Sequence, residues 1–214
     1  MWEGFLAIGS GNGRVHGNRL CLDFVNQPYL PGDPRAHPGS WPELVDFLAE
    51  KRIVSKEKSE ELSALPESDP TAAQTLLLQA DRLSDAMRGA FGAMLKNQHV
   101  HREWVEPINE ILRVTEGHDE LEWHEDKWRL GFLAKEGGLD WLLAAIARSG
   151  AELIAGGAAS HLRRCSNPNC YILFCDDSRT RRRRWCSMAH CGNRSKVAAF
   201  AKRRTMEKGP AHHA

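Results

Sequence analysis

Apolar residues recur at helical spacing through much of the first 155 residues. The clearest run follows Asp69-Pro70, a typical helix start, and it predicts the longest helix of the chain. Its apolar positions recur mostly at three- and four-residue steps: Leu76, Leu77, Ala80, Leu83, Met87, Ala90 and Met94. Shorter helices are predicted from Ser40 to about Arg52, Ser55 to Leu65, His101 to Thr115 and Leu139 to Ile154.

Local signals refine two of these helices. Ser40-Trp-Pro-Glu43 has the form of a capping box, in which the Ser hydroxyl and the Glu carboxylate satisfy backbone N–H groups at a helix start. Pro107 lacks a backbone donor, so we expect it to kink or interrupt the helix that contains it.

Two segments predict strands. From Arg19 to Asn26, Leu20, Leu22 and Phe24 alternate with Cys21, Asp23 and Val25, which predicts an N-terminal strand. The segment from Leu121 to Leu130 predicts a hairpin with a tight turn near Asp126. The expected fold class is therefore α+β, with a mainly helical N-terminal domain that carries a small sheet or hairpin, and a small C-terminal module.

The distribution of charge also separates a small C-terminal module from the rest of the chain. Residues 161–204 hold twelve Lys and Arg against two acids, a net charge of +10, whereas the remainder holds 17 basic and 26 acidic residues. Gly156-Gly157 offers a flexible joint between these parts. We expect an acidic domain over residues 1–158 that folds without the module, a basic module over 161–204 and a tail over 205–214.

The module contains two cysteine pairs of equal spacing, Cys165/Cys170 and Cys186/Cys191. Four thiolates in two short-range pairs can enclose one tetrahedral zinc ion. The segment has few apolar residues, mainly Tyr171, Leu173, Phe174, Trp185, Val197 and Phe200. Burial alone cannot fold so small a unit, so we expect the zinc to be structural.

Other residues near these cysteines are weaker candidates for the metal. Cys175 has the same spacing from Cys170, but the apolar run between them predicts a strand that would hold the two thiols apart. His190 is adjacent to Cys191 and is expected at the surface, and His161 is a weaker alternative still. Cys21 is expected to be a small buried apolar group of the N-terminal strand.

Basic residues surround the second cysteine pair. An arginine run precedes it, and residues 192–204 predict a helix with Val197, Phe200 and Ala201 on one side. Arginine binds phosphate in bidentate geometry, so nucleic acid, in the form of duplex DNA, is the expected partner. The expected contacts are Arg179, Arg181, Arg182, Arg183, Arg184, Arg194, Lys196 and Lys202.

These residues carry a family resemblance. The tetrad Cys191-Gly-Asn-Arg194, preceded by Arg183-Arg184, resembles the CGNR zinc-finger family of bacterial proteins, and Phe174, Asp176 and Ser178 fit its F-x-D-x-S stretch. The segment from Leu20 to Asn26 resembles part of the ABATE domain that precedes this finger in the family, although Gln27 stands where the family often has Thr.

The resemblance implies a stress-response transcription regulator, with the ABATE domain as a sensing or interacting part and the finger on DNA. It also implies the same four cysteine ligands. It assigns no roles within the tetrad, for which our physical expectation is that Gly192 permits a tight turn, Asn193 caps backbone groups and Arg194 meets phosphate or thiolate.

Two other classes of function remain open. An enzyme would have to use Asp23 with Asn26, or His124 with Glu122 and Glu125, but no phosphate loop, nucleophile elbow or metalloprotease motif occurs, so we expect no enzyme. A zinc module that binds protein and no nucleic acid would have its arginines neutralised by the acidic domain.

No secretory signal or membrane span is recognisable, which favours a reducing, cytoplasmic setting. Self-association, and a small molecule or a protein as the signal for the N-terminal domain, are compatible with the sequence.

Overall fold

The computed structural model describes residues 5–7, 18–27, 39–124, 127–135, 138–156 and 161–207. The helices of this part are α1 (Leu20–Val25), α2 (Trp41–Glu50), α3 (Lys56–Ser68), α4 (Pro70–Leu95), α5 (Arg102–Val114), α6 (Ala144–Ala155) and α7 (Asn193–Glu207). A 3-10 turn (Asp140–Leu143) leads into α6, and a π-helical turn (Met188–Gly192) leads into α7. The strands are β1 (Phe5–Ala7), β2 (Gly117–His124), β3 (Lys127–Ala134), β4 (Leu162–Arg164) and β5 (Leu173–Cys175).

Helix α4 is the centre of the helical region, residues 18–156. It begins as its sequence predicts, because the Asp69 carboxylate accepts a hydrogen bond of 2.9 Å from the backbone N–H of Ala72. Its predicted apolar positions are buried, apart from Leu77, which is half-buried. Gly89 lets the indole of Trp104 on α5 lie directly against the α4 backbone, where a Cβ would collide with the ring.

The segment predicted as an N-terminal strand is instead the short helix α1. Cys21, Leu22, Phe24 and Val25 are all buried, at both odd and even positions, against the other helices. A strand with one solvent face would have left alternate residues exposed. In so short an apolar run the alternation of large side chains does not separate strand from helix, and tertiary packing selects the helix.

Two helix details also differ from expectation. The Ser40 hydroxyl donates a hydrogen bond of 2.9 Å to the Glu43 carboxylate, so the pair is satisfied mutually and makes no side-chain bond to the backbone at the start of α2. Helix α5 contains Pro107 and is continuous from Arg102 to Val114, so of the two expected effects, a kink or a break, the break does not occur.

Strands β1, β3 and β2 form an antiparallel sheet in that order. The β2–β3 hairpin confirms the prediction for residues 121–130, although the turn at residues 125 and 126 lies outside the described part. Trp123 and Trp128 face each other across the hairpin with ring centroids 5.2 Å apart, and both are exposed.

A second sheet, β4–β5, connects the helical region with the cysteine module. Alternate residues of a strand face opposite sides, and β5 uses both sides. Leu173 and Cys175 pack with the helices, whereas Ile172 and Phe174 pack with the four clustered cysteines. Leu162 of β4 also belongs to the helical core. Residues 161–204 therefore contribute to two cores at once.

Among the described residues, no helix combines the length and the apolar character needed to cross a lipid bilayer.

Candidate metal centre and basic surface

The first pair of cysteines lies on a turn that Asn167 organises. The Asn167 side-chain oxygen accepts a hydrogen bond of 3.1 Å from the N–H of Asn169, and its backbone oxygen accepts one of 2.9 Å from the N–H of Cys170. Asparagine favours such turns because its side chain can bond to the backbone two residues on. Strand pairing fixes the start of the turn, since the N–H of Cys165 donates to the carbonyl of Ile172 at 3.0 Å.

The second pair encloses the π-helical turn. The Ser187 hydroxyl accepts the N–H of His190 at 3.4 Å, and the N–H of Gly192 donates to the Ser187 carbonyl at 3.0 Å. A Cβ at Gly192 would lie 2.8 Å from the sulfur of Met188 and 3.2 Å from the Trp185 ring. Gly192 is thus required by close approach of side chains. Asn193 caps the turn as expected, donating from its side chain to the Ala189 carbonyl at 3.1 Å.

These two turns bring four buried sulfur atoms together. The Sγ atoms of Cys165, Cys170, Cys186 and Cys191 lie within 4.8 Å of one another. The Cys170–Cys186 and Cys186–Cys191 sulfur distances are 3.8 and 3.7 Å. A tetrahedral ion with four zinc–sulfur bonds of about 2.3 Å separates its sulfurs by about 3.8 Å. The residues therefore fit one structural zinc ion, with thiolates as its only protein ligands.

Crowding sets the acidity of these thiols. The hydrogen bond with Cys186 lowers the pKa of Cys170 to about 5, and the same hydrogen bond raises the pKa of Cys186. Four adjacent thiols cannot all lose their protons without a cation between them. A divalent metal supplies that charge and takes the thiolates as ligands.

Two of the sulfurs accept hydrogen bonds from uncharged N–H groups. The backbone N–H of Cys186 points to Cys165 Sγ at 3.5 Å, and the Asn167 side-chain NH2 points to Cys191 Sγ at 3.5 Å. Such outer hydrogen bonds orient thiolate ligands and disperse their negative charge. The direct donors found here are amides, whereas Arg194, for which a thiolate was one of the two expected partners, is exposed.

The weaker metal candidates lie elsewhere. Cys175 is fully buried in the helical core, outside the cysteine cluster. Cys21 is buried in the same core, and burial raises the pKa of its thiol to about 12. His190 is exposed and hydrogen-bonds to Ser187 through Nδ1 at 3.2 Å. The backbone carbonyl of His161 accepts from the N–H of Asp176 at 2.7 Å, and its ring is not part of the cluster.

A buried aspartate holds the arginine segment in place. Asp176 is fully buried, and its carboxylate accepts hydrogen bonds from the Ser178 hydroxyl at 2.5 Å and from the Arg183 N–H at 2.8 Å. Burial raises the pKa of Asp176, but these hydrogen bonds outweigh it and the net pKa is lowered. The sequence did not predict this role; a lone pair of acids inside a segment of net charge +10 was the available signal.

Arg183 differs from its neighbours. Its guanidinium donates to the Trp185 carbonyl at 2.9 Å and to the Cys186 carbonyl, and it lies 4.5 Å above the centre of the Phe174 ring. The side chain therefore closes the finger around its second cysteine pair. Although the sequence suggests a phosphate contact for it, Arg183 is half-buried and two of its guanidinium nitrogens donate to backbone carbonyls of the finger.

The other predicted contacts are exposed. They are Arg179, Arg181, Arg182, Arg184, Arg194 and Lys196. Arg184 stacks over the Trp185 ring at 5.1 Å, and Arg181 adopts a left-handed backbone with φ of 50° that turns the segment sharply. Lys202 lies in α7, but its side chain is outside the described part.

Helix α7 corrects a further expectation. Val197 and Phe200, which the sequence offers as apolar anchors of the module, are 68% and 55% exposed. Every described side chain of α7 is exposed except Ser195, which is half-buried. The helix leaves the finger at the π-helical turn, so its apolar residues meet no other helix or strand of the described part in a substantial contact.

Comparison with family models identifies both parts. Residues 18–157 match the model of the ABATE family, described as "putative stress-induced transcription regulator". Residues 161–204 match the CGNR zinc finger. The chain belongs to the ABATE family and carries a CGNR zinc finger. No curated protein matches the chain.

Membership gives the predicted segments a structural meaning. In the ABATE part, the segment from Leu20 to Asn26 forms α1 and its C-terminal cap, and Asn26 contacts the finger. In the CGNR finger, Phe174 lies beneath Arg183, and Asp176 binds Ser178 and Arg183.

The residues considered for catalysis have other partners or are not described. Asp23 forms an ion pair of 2.9 Å with Lys51. Asn26 binds the backbone of Leu173 at 2.8 and 2.9 Å. The side chains of Glu122 and His124, and residue 125 as a whole, lie outside the described part. The matched families are of the regulator and zinc-finger type.

Proposed function

We propose that this chain is a DNA-binding transcription regulator whose zinc finger contacts duplex DNA mainly through phosphates. The observation that carries the proposal is the exposed basic surface of the finger. Four arginines of one short segment, Arg179, Arg181, Arg182 and Arg184, are exposed, and so are Arg194 and Lys196 at the start of α7. Arginine is the side chain best suited to bidentate phosphate binding.

The position of this surface supports the proposal. The finger packs on the helical region through Leu173, Cys175 and Leu162. This contact leaves the arginine segment uncovered, and the buried Asp176 fixes the backbone from which it projects. A preorganised cationic loop loses little conformational freedom when a polyanion binds. We assign the ABATE part the role of sensing a small molecule or binding a protein, in the cytoplasm.

The dependence of affinity on salt concentration tests this function. If about five of the exposed basic residues contact phosphate, the logarithm of affinity for random duplex DNA should fall against the logarithm of salt concentration with a slope of roughly −4 to −5. Fluorescence anisotropy with a labelled duplex measures this slope. Affinity that is weak at low salt, or that is unchanged when Arg179 and Arg182 are replaced by Ala, would contradict the proposal.

A protein-binding role without nucleic acid is the second candidate, and exposed Val197 and Phe200 favour it. Under that hypothesis the acidic remainder of the chain would neutralise the arginines. Within the described part, no ion pair joins the exposed arginines of the finger to an acidic side chain. This candidate would be supported if the finger bound a protein partner equally well after its exposed arginines were replaced by Ala.

A further inference from the structure

The edge of β5 that faces away from β4 is hydrogen-bonded to a side chain of the ABATE part. One edge of β5 pairs with β4, and Ile172 and Asp176 continue that pairing at its ends. Leu173 directs its backbone groups to the other edge. There the Asn26 side-chain NH2 donates to the Leu173 carbonyl at 2.8 Å, and the Leu173 N–H donates to the Asn26 side-chain oxygen at 2.9 Å. Asn26 thus pairs with β5 as a neighbouring strand would.

A second asparagine makes a similar contact at the other end of α1. The Asn18 side-chain NH2 donates to the Cys175 carbonyl at 3.3 Å. Asn18 has a left-handed backbone, with φ of 64°, which asparagine tolerates better than most residues. We call these two asparagines and the β5 edge that they bind the asparagine clasp. It joins residues about 150 positions apart in sequence.

Helix α1 also connects the asparagine clasp to the rest of the helical region. The backbone N–H of Cys21 donates to the Ser149 hydroxyl on α6 at 3.2 Å. The Asp23 carboxylate binds Lys51, at the end of α2, at 2.9 Å. The apolar face of α1 shares one core with Leu162 and Cys175 of the finger. This six-residue helix therefore contacts α2, α6 and the finger together.

We propose that α1 couples the metal-bound fold of the finger to the order of the helical region, with Asn26 as the positioning residue. The edge of β5 exists only when the finger is folded, and a finger with so small an apolar core folds only with its metal. Metal binding thereby creates the partner that Asn26 requires. By thermodynamic linkage, a ligand that displaces α1 must in turn weaken the hold of the helical region on the finger.

Hydrogen exchange of the full chain tests the coupling. Amides of residues 23–26 are compared in the zinc-loaded protein and after zinc removal by a chelator. We expect removal to raise their exchange rates roughly tenfold or more, as loss of two partly buried hydrogen bonds implies. The rise should be clearly smaller in α5, which lies outside the asparagine clasp.

A matched pair of variants separates positioning from general destabilisation. Asn26→Asp keeps the shape of the side chain but places a carboxylate oxygen against the Leu173 carbonyl. We expect it to retain one zinc per chain while α1 exchanges rapidly with or without metal. Asn109→Asp, the same change on α5, should keep the zinc dependence of α1.

Two results would overturn the proposal. The first is unchanged protection of α1 in the wild-type chain after zinc removal, or a rise of equal size in α5. The second is an amide exchange rate in α1 that still depends on zinc in the Asn26→Asp variant. The wild-type comparison needs no substitution, so it decides the question even if Asn26→Asp does not fold.

Discussion

The helical region and the zinc finger are stabilised in opposite ways. Around α4, the buried side chains are nearly all apolar, and Ser84 is the buried polar exception among the described residues there. In the finger, Ile172 and Phe174 pack with four cysteines, and the fully buried Asp176 supplies hydrogen bonds. The first region needs apolar area, whereas the second needs a metal and a few specific polar contacts. A single substitution should therefore have different consequences in the two regions.

Removing a zinc ligand should have the largest effect. In Cys186→Ser, the finger loses a ligand of an ion whose apparent binding free energy is about 10–16 kcal/mol in comparable small modules. We expect zinc per chain to fall to near zero and the finger to unfold, as elemental analysis and NMR spectra would record. Cys175→Ser is the control, since that thiol lies in the helical core. It should keep its zinc and lose about 1–3 kcal/mol of stability; loss of zinc there would mean that the ligand set is wrong.

Deleting the finger sharpens the comparison further. A fragment of residues 1–158 loses the packing of Leu162 and Cys175 in its core and the partners of Asn18 and Asn26. We expect it to remain helical, as the sequence predicts, but to be less stable by about 2–5 kcal/mol. Urea denaturation followed by circular dichroism measures both quantities. Stability equal to that of the full chain would mean that the shared core carries no free energy.

Arg183→Ala should have an intermediate effect. It removes two hydrogen bonds to backbone carbonyls and the stacking on Phe174, which together are worth about 1–3 kcal/mol. We expect zinc to be released more readily to a competing chelator. If Arg183→Ala binds zinc as tightly as the wild-type finger, its intramolecular contacts are not stabilising.

Arg182→Ala should have the smallest effect on stability, because this neighbouring side chain is exposed. Surface changes of this kind usually alter stability by no more than about 0.5 kcal/mol. Its effect should appear on DNA instead, where the salt slope should become shallower by about 0.9. The pair Arg182 and Arg183 thus separates binding from folding within two adjacent residues. An unchanged salt slope would remove Arg182 from the proposed surface.

The sequence predicted most where a repeating pattern or a fixed spacing was available. The apolar face of α4, its Asp69 start, the β2–β3 hairpin and the cysteine cluster all follow from such patterns. It failed where the deciding partner is distant in the chain. The Leu20–Val25 segment packs as a helix in the core that the other helices share with the finger, and Asn26 bonds to Leu173.

The arginine run illustrates the same limit on a smaller scale. Composition marks five arginines as alike, and only the three-dimensional contacts show that Arg183 bonds to the Trp185 and Cys186 carbonyls. Similarly, Val197 and Phe200 look like core residues by type, yet the direction in which α7 leaves the finger exposes them. Residue type alone does not tell which apolar or charged group will find a partner.

The exposure of α7 also has a calorimetric consequence. Isolated helices shorter than about 12–15 residues are only marginally stable in water. Helix α7 has 15 residues, at the upper end of that range, and gains little stability from packing beyond its first turn. When a macromolecule covers this helix, binding must also offset the conformational entropy lost as the helix becomes fully ordered. Binding should then release more heat, and show a more negative heat-capacity change, than docking onto a rigid surface of equal area. Truncating the chain so that it ends before Val197 would remove this contribution to the heat and the heat-capacity change and leave the metal centre intact.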